Sequence, residues 1–220
     1  YPISGGVKIH LEKHIPIAAG MAGGSTDAAA TLKGMNRLFD LGCTLKDLME
    51  LGVKIGADVP YCVMGGTALA EGIGEKLTPL APAPDCYVLV AKPDINVSTK
   101  YVYEHLDAQE IVKHPDIDGM VEAIAEESLQ GILDRMENVL ETVTVSAYPI
   151  IQTIKDRMKE LGAINSLMSG SGPTVFGIFV EKDMARRAYD KLEEEQLAKQ
   201  IFLTEFVSNA RVEVCRIIYR

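Results

Sequence analysis

Between Pro16 and Ala29 the chain reads Pro-Ile-Ala-Ala-Gly-Met-Ala-Gly-Gly-Ser-Thr-Asp-Ala-Ala. This small-residue run constrains the fold more than any other stretch. Ahead of it, Val7, Ile9 and Leu11 alternate with Lys8, His10 and Glu12, the period of a half-buried strand. Behind it, Ala28, Leu32, Met35 and Phe39 fall at helical spacing. The organisation is strand, glycine-rich loop, helix. Glycines just before a helix let the backbone approach a ligand closely. The helix start then aims free N–H groups and the positive end of its dipole at whatever sits there. Ser25 and Thr26 add hydroxyl donors. No Gly-Lys-Ser/Thr closes the run, so it is not a Walker A loop, and it is not a dinucleotide G-x-G-x-x-G. From the residues alone it is either a cradle for a di- or triphosphate or a plain turn with Ser25 as the helix N-cap.

Two further segments carry chemistry. Asp58 follows the Gly56-Ala57 break and precedes Val59-Pro60. A carboxylate there is either a helix N-cap or a group that orients or deprotonates an attacking hydroxyl. Ser169-Gly170-Ser171-Gly172-Pro173 is a second glycine-rich turn. It lacks the first Gly of a nucleophile elbow counted about Ser171. Its backbone either approaches a phosphate or simply joins two strands. His10, Glu12 and His14 share one face of the first strand; a solvated polar face explains them better than a metal site. Cys43, Cys62, Cys86 and Cys215 are widely spaced with no C-x-x-C, which argues against a disulfide framework and a zinc knuckle.

Lys+Arg less Asp+Glu is 22 − 31 = −9, the wrong sign for sequence-independent nucleic-acid binding. No apolar stretch approaches the roughly 20 residues of a membrane span, and no secretory signal pattern opens the chain. The expected compartment is the cytoplasm. Thr44-Leu45-Lys46-Asp47 resembles a capping box and opens a helix to about Ile55. Gly65–Leu80 is expected to form two strands joined near Gly72-Ile73-Gly74. Ala81-Pro82-Ala83-Pro84-Asp85 is the best linker. Beyond it, strands at 86–91, 164–168, 174–180 and from about 201 alternate with helices over 98–161 and 182–195, an α+β layer.

Taken together and in order, three segments resemble the GHMP kinase superfamily. They are Pro16–Ala29, Gly56-Ala57-Asp58-Val59-Pro60 and Leu167-Met168-Ser169-Gly170-Ser171-Gly172-Pro173-Thr174. Gly65-Gly66-Thr67-Ala68-Leu69-Ala70 and Ala91-Lys92-Pro93 point the same way, and the similarity runs from about Gly6 to about Phe206. The resemblance implies a two-lobe α/β architecture with a ferredoxin-like C-terminal lobe. Residues 1–84 would be the remainder of the ATP-binding lobe, and residues 85–220 the C-terminal lobe. It implies ATP and Mg²⁺ as cofactors, with no protein ligand for the metal assigned. The implied reaction belongs to the non-mevalonate isoprenoid pathway: phosphoryl transfer from ATP to the tertiary 2-hydroxyl of a cytidine-diphosphate-linked sugar alcohol. Asp58 matches the family base. Pro16, Ile17, Ala18, Ala19, Gly20, Met21, Ala22, Gly23, Gly24, Ser25 and Thr26 match the ATP loop, with Thr26 where a second Ser is common. Ser169, Gly170, Ser171 and Gly172 match the C-terminal glycine motif. Ser98, Thr99 and Tyr103 fall where the family lines its acceptor pocket.

The resemblance has one gap. Family members begin with a segment that carries a lysine in an Ala-Lys-Ile-Asn context and a Tyr-His pair contacting the cytidine. Neither occurs in these 220 residues, and residue 1 is Tyr rather than Met. The expectation is an N-terminally truncated chain that is inactive alone and self-associates through uncovered strand edges. The alternatives are a GHMP kinase for another small alcohol, such as homoserine or mevalonate, and a non-catalytic nucleotide-binding module.

Overall fold

The computed structural model describes residues 5–106 and 114–206. Tyr1 and Cys215 lie outside these residues. The chain divides into two compact units, the first containing Ala22–Leu80 and the second Ala81–Phe206 together with Ala18–Met21.

In the first unit, α1 (Gly23–Leu38), α2 (Leu45–Val53) and α3 (Val59–Met64) are followed by a hairpin of β1 (Ala68–Glu71) and β2 (Lys76–Pro79). The apolar faces of the three helices meet around Ala29, Leu48, Val59 and Val63, with Leu32, Met49 and Cys62 at the margin. Gly52 is buried within α2, and a Cβ there would press to 2.9 Å from Val59 Cγ1, so its lack of a side chain sets the close approach of α3. Asn36 fixes the α1–α2 turn. Its amide donates to the Cys43 carbonyl and its oxygen accepts the Cys43 N–H, both at 3.0 Å. Thr44 then starts α2 with the full capping box: its hydroxyl accepts the Asp47 N–H at 3.2 Å, and the Asp47 carboxylate accepts the Thr44 N–H at 2.8 Å. That carboxylate is held below the usual range by its two bonds from Thr44.

Val7–Glu12 departs from the expected strand. It joins no ladder, and a strand needs a neighbour to share its N–H and C=O groups. Val7, Ile9 and Leu11 remain about half exposed. With Ala30, Met35 and Leu38 of α1 they line an apolar groove of about 280 Å³.

The second unit holds β3 (Tyr87–Lys92), α4 (Thr99–His105), α5 (Ile117–Ala125), α6 (Leu129–Asp134), α7 (Glu141–Ala147), α8 (Ile150–Glu160), β4 (Asn165–Met168), β5 (Val175–Phe179), α9 (Lys182–Glu194) and β6 (Gln200–Glu205). Its sheet runs β4-β5-β3-β6 with every neighbour antiparallel. This is the split βαββαβ order of a ferredoxin-like lobe. The inner strand β3 is buried on both faces, and its alternation sorts the core. Leu89 and Ala91 join Ile151, Ile154 and Met158 of α8 and Ala185, Ala188 and Leu192 of α9. Val88 and Val90 join Ile178 and Leu133, with Met21 packed against that cluster. Gly177 lets α8 close on the sheet, since a Cβ there would reach 3.0 Å from Met158 Sδ. No helix among the described residues is long and apolar enough to cross a membrane.

Replacing Thr44 by Ala removes the cap of α2 and is expected to cost about 1 kcal/mol. Urea unfolding measures it as a lower midpoint at unchanged slope. A midpoint equal to wild type would show that the box contributes nothing to stability.

Candidate functional site

The glycine-rich run belongs to both units, Ala18–Met21 to the second and Ala22–Thr26 to the first. In the first unit α1 starts at Gly23. Its N-cap residue is Ala22, in a left-handed conformation (φ 48°, ψ 26°), with no side chain bonded to the helix start. Ser25 is therefore not the cap; the helix begins two residues before it. Gly23, Gly24 and Ser25 are the first three helical residues, and the first turn carries no acidic side chain. Only from Thr26 does the ladder close, with the Thr26 N–H bonded to the Ala22 carbonyl at 2.9 Å. The Thr26 hydroxyl donates to the same carbonyl at 3.1 Å. A start of this kind leaves backbone donors and the positive dipole end for an anion. Nothing lies within 4 Å of a Cβ built on Gly24, whereas one on Gly23 would press to 3.0 Å from Ile15. Close to this helix start, Lys13 pairs with Asp27. Sequence reasoning missed this cation, which stands just past the alternating Val7–Glu12 segment and carries no pattern of its own.

Asp58 stands at the N-cap position of α3, yet its side chain makes no capping bond. The residue is exposed. One turn on, the Cys62 sulfur lies 3.6 Å from the Thr26 hydroxyl oxygen. Burial raises the Cys62 thiol above its ordinary range. The Thr26 contact opposes that rise and the Asp58 charge adds to it. These effects place Thr26, Cys62 and Asp58 in one neighbourhood, with the thiol protonated at neutral pH. The β1–β2 turn borders it: a Cβ on Gly74 would lie 3.9 Å from Asp58 Oδ1.

In the second unit, Ala18 and Gly20 also take left-handed conformations, φ 51° and 70°. The Ser169 hydroxyl donates to the Gly20 carbonyl at 2.7 Å. A Cβ on Gly20 would overlap the Ser169 carbonyl oxygen and crowd the Gly172 backbone. Gly20 and the second glycine turn are thus fitted backbone to backbone. The turn closes on itself through the Gly172 N–H and the Ser169 carbonyl at 2.9 Å. The Ser171 and Thr99 hydroxyls lie 2.9 Å apart, which joins one expected pocket residue to the turn. Ser98 is engaged otherwise, its hydroxyl accepting the Tyr101 N–H at 3.3 Å as the cap of α4. Tyr103 lies 61% exposed on α4. Asn138 and Glu141 also bind the turn's approach strand, and sequence reasoning missed both.

His10 and His14 both lie exposed beside the Glu12 carboxylate. Among the described residues no three His, Cys, Asp or Glu side chains gather as a metal site.

The GHMP kinase N terminal domain matches residues 1–66, and the GHMP kinase C terminal domain matches residues 120–199. Two bacterial relatives are each 56% identical and each named 4-diphosphocytidyl-2-C-methyl-D-erythritol kinase. That of Lachnospira eligens aligns over 93% of this chain and 71% of its own length, and that of Lachnoclostridium phytofermentans over 96% and 73%. A crystal structure of 4-(cytidine 5'-diphospho)-2C-methyl-D-erythritol kinase superposes with a TM-score of 0.75 at 33% identity, covering 88% of this chain and 68% of that one. The chain belongs to the 4-diphosphocytidyl-2-C-methyl-D-erythritol kinase family of GHMP kinases.

The two loop glycines make opposite predictions. Gly20→Ala meets both a left-handed backbone and an occupied Cβ position, and is expected to cost about 2 kcal/mol or more. Gly24→Ala, helical and in open space, is expected to be neutral or slightly stabilising. Thermal unfolding of the two variants checks the contrast; equal midpoints would refute the close fit at Gly20.

Proposed function

We propose that the chain, joined to a segment with the family's Ala-Lys-Ile-Asn sequence, catalyses ATP-dependent phosphorylation of 4-diphosphocytidyl-2-C-methyl-D-erythritol, with the Pro16–Thr26 run as the triphosphate loop and Asp58 as the base. The observation that carries the loop assignment is the start of α1 at a left-handed Ala22 with no side-chain cap. A triphosphate is the ligand such an array of backbone donors suits. The family's own name supports the acceptor.

In this reading the acceptor is a tertiary alcohol, a weak nucleophile. Asp58 accepts its proton as the oxygen bonds to the γ-phosphorus, and the bond from that phosphorus to ADP breaks. An exposed carboxylate that caps no helix suits a group that exchanges a proton with a substrate. The donors of Gly23, Gly24 and Ser25 offset charge on the phosphates during transfer. Mg²⁺, when bound, would supply further positive charge to the phosphates, and in this reading it would be held mainly by phosphate and water. Thr99 enters the reading as an acceptor residue of the second unit, its hydroxyl 2.9 Å from that of Ser171. Ser98 and Tyr103 enter the reading only as neighbours of Thr99 on α4.

The test is ADP release with this acceptor, with homoserine and with mevalonate. It is run on the 220 residues and on a protein extended by a segment with the family's Ala-Lys-Ile-Asn sequence. Release is expected from the extended protein with the cytidine-linked acceptor alone, and none above background from the 220 residues. Asp58→Asn in the extended protein is expected to lower kcat by about 10²–10⁴ and leave ATP affinity near wild type. Wild-type turnover in that variant would remove Asp58 from the chemistry. Release with another alcohol in place of the cytidine-linked one would overturn the substrate.

A further inference from the structure

Asn138 precedes α7 and sits where three pieces of the second unit meet. Its amide nitrogen donates to two backbone carbonyls, Met168 and Gly170, each at 2.8 Å. Its oxygen accepts the Leu140 N–H at 3.0 Å. All three polar functions of one half-buried side chain are therefore engaged, two of them across about thirty residues of sequence. Glu141 secures the same strand end: one carboxylate oxygen accepts the Met168 N–H at 2.7 Å and the other pairs with the buried Lys155. The carbonyls that Asn138 grips flank Ser169, whose hydroxyl holds Gly20.

A turn with Gly170 and Gly172 both at positive φ has little backbone rigidity of its own. Without an external tie, the orientation of the Ser169 hydroxyl would be free to vary. Asn138 supplies a tie with two bonds of good length to the carbonyls on either side of Ser169. Glu141 and Lys155 fix the strand end, and Thr144 and Thr99 reach the turn at Ser171; the two carbonyls on either side of Ser169 are held by Asn138.

We infer that Asn138 is a positioning residue for nucleotide binding: it locks the Ser169–Gly172 turn so that Ser169 holds Gly20 in the conformation the phosphate loop requires. This rests on the triphosphate-loop reading above. Asn138 itself need not touch nucleotide. A side chain that acts through Ser169 has a signature that a purely structural one lacks, namely non-additivity with Ser169 in ATP affinity.

The experiment is calorimetric titration of ATP into the 220-residue chain, wild type and variants. Asn138→Ala is expected to raise the ATP Kd about tenfold, a change of about 1.4 kcal/mol. Asn138→Ser, which keeps one donor, is expected to fall between. Ser169→Ala should weaken binding to a similar degree. The double variant should be little worse than either single one. Ile154→Ala, a core truncation in α8, serves as the stability comparator and should lower the melting temperature with Kd within twofold of wild type. Should Asn138→Ala not fold, Asn138→Ser and its double with Ser169→Ala give the same cycle. Equal Kd for the Asn138 variants and wild type, or strictly additive losses with Ser169→Ala, would overturn the assignment of Asn138 alone. A wild-type chain that binds no ATP would overturn the loop reading, and the role of Asn138 with it.

Discussion

Helix α1 begins at an alanine that is left-handed and offers no side chain to the helix's first N–H groups. Both facts cost free energy. A non-glycine residue at positive φ is strained, and unsatisfied helix donors lose a stabilisation that Ser, Thr, Asp or Asn at the cap would supply. Ala18, four residues earlier, repeats the left-handed conformation. Local strain of this kind persists where surrounding structure over-determines it, and it gathers at ligand sites. Here Gly23, Gly24 and Ser25 open the helix with no side-chain cap at Ala22, and an anion is the partner that such a geometry suits.

The Ala18–Met21 part of the run is held within the second unit by specific contacts. Ser169 bonds the Gly20 carbonyl, and the missing side chain at Gly20 is what permits the two backbones to meet. Behind the glycine turn stand Asn138 and Glu141, and behind those the α8 side of the sheet core, to which Lys155 belongs. A ferredoxin-like sheet is a suitable base for this. The turn joins β4 to β5, and β5 is laddered on its other side to β3, which is buried on both faces.

Much of this was legible in the sequence where the signal is local. The Thr44–Asp47 box, the Gly72–Gly74 hairpin turn and the apolar run of β3 each depend on residues within a few positions, and each is found where its pattern puts it. The helix after the glycine run was legible too, but its first residue was not. Ser25 has the right chemistry for a cap, yet the chain turns helical at Gly23 because Ala22 takes the left-handed bend first. Val7–Glu12 has a strand's alternation and no strand, since a ladder needs a neighbour and alternation cannot supply one. Asn138 carries no local signature at all: its bonds to Met168 and Gly170 span 30 and 32 residues. The Lys13–Asp27 pair spans 14.

The central claim is that the open start of α1 receives the triphosphate. The most direct measurement is the set of backbone amide chemical shifts of isotopically labelled protein during titration with ATP and then with adenosine. ATP is expected to move the amides of Gly23, Gly24 and Ser25 most, and adenosine, which has no phosphate, to leave them in place. Saturable ATP binding that leaves those three amides unmoved while others shift would contradict it.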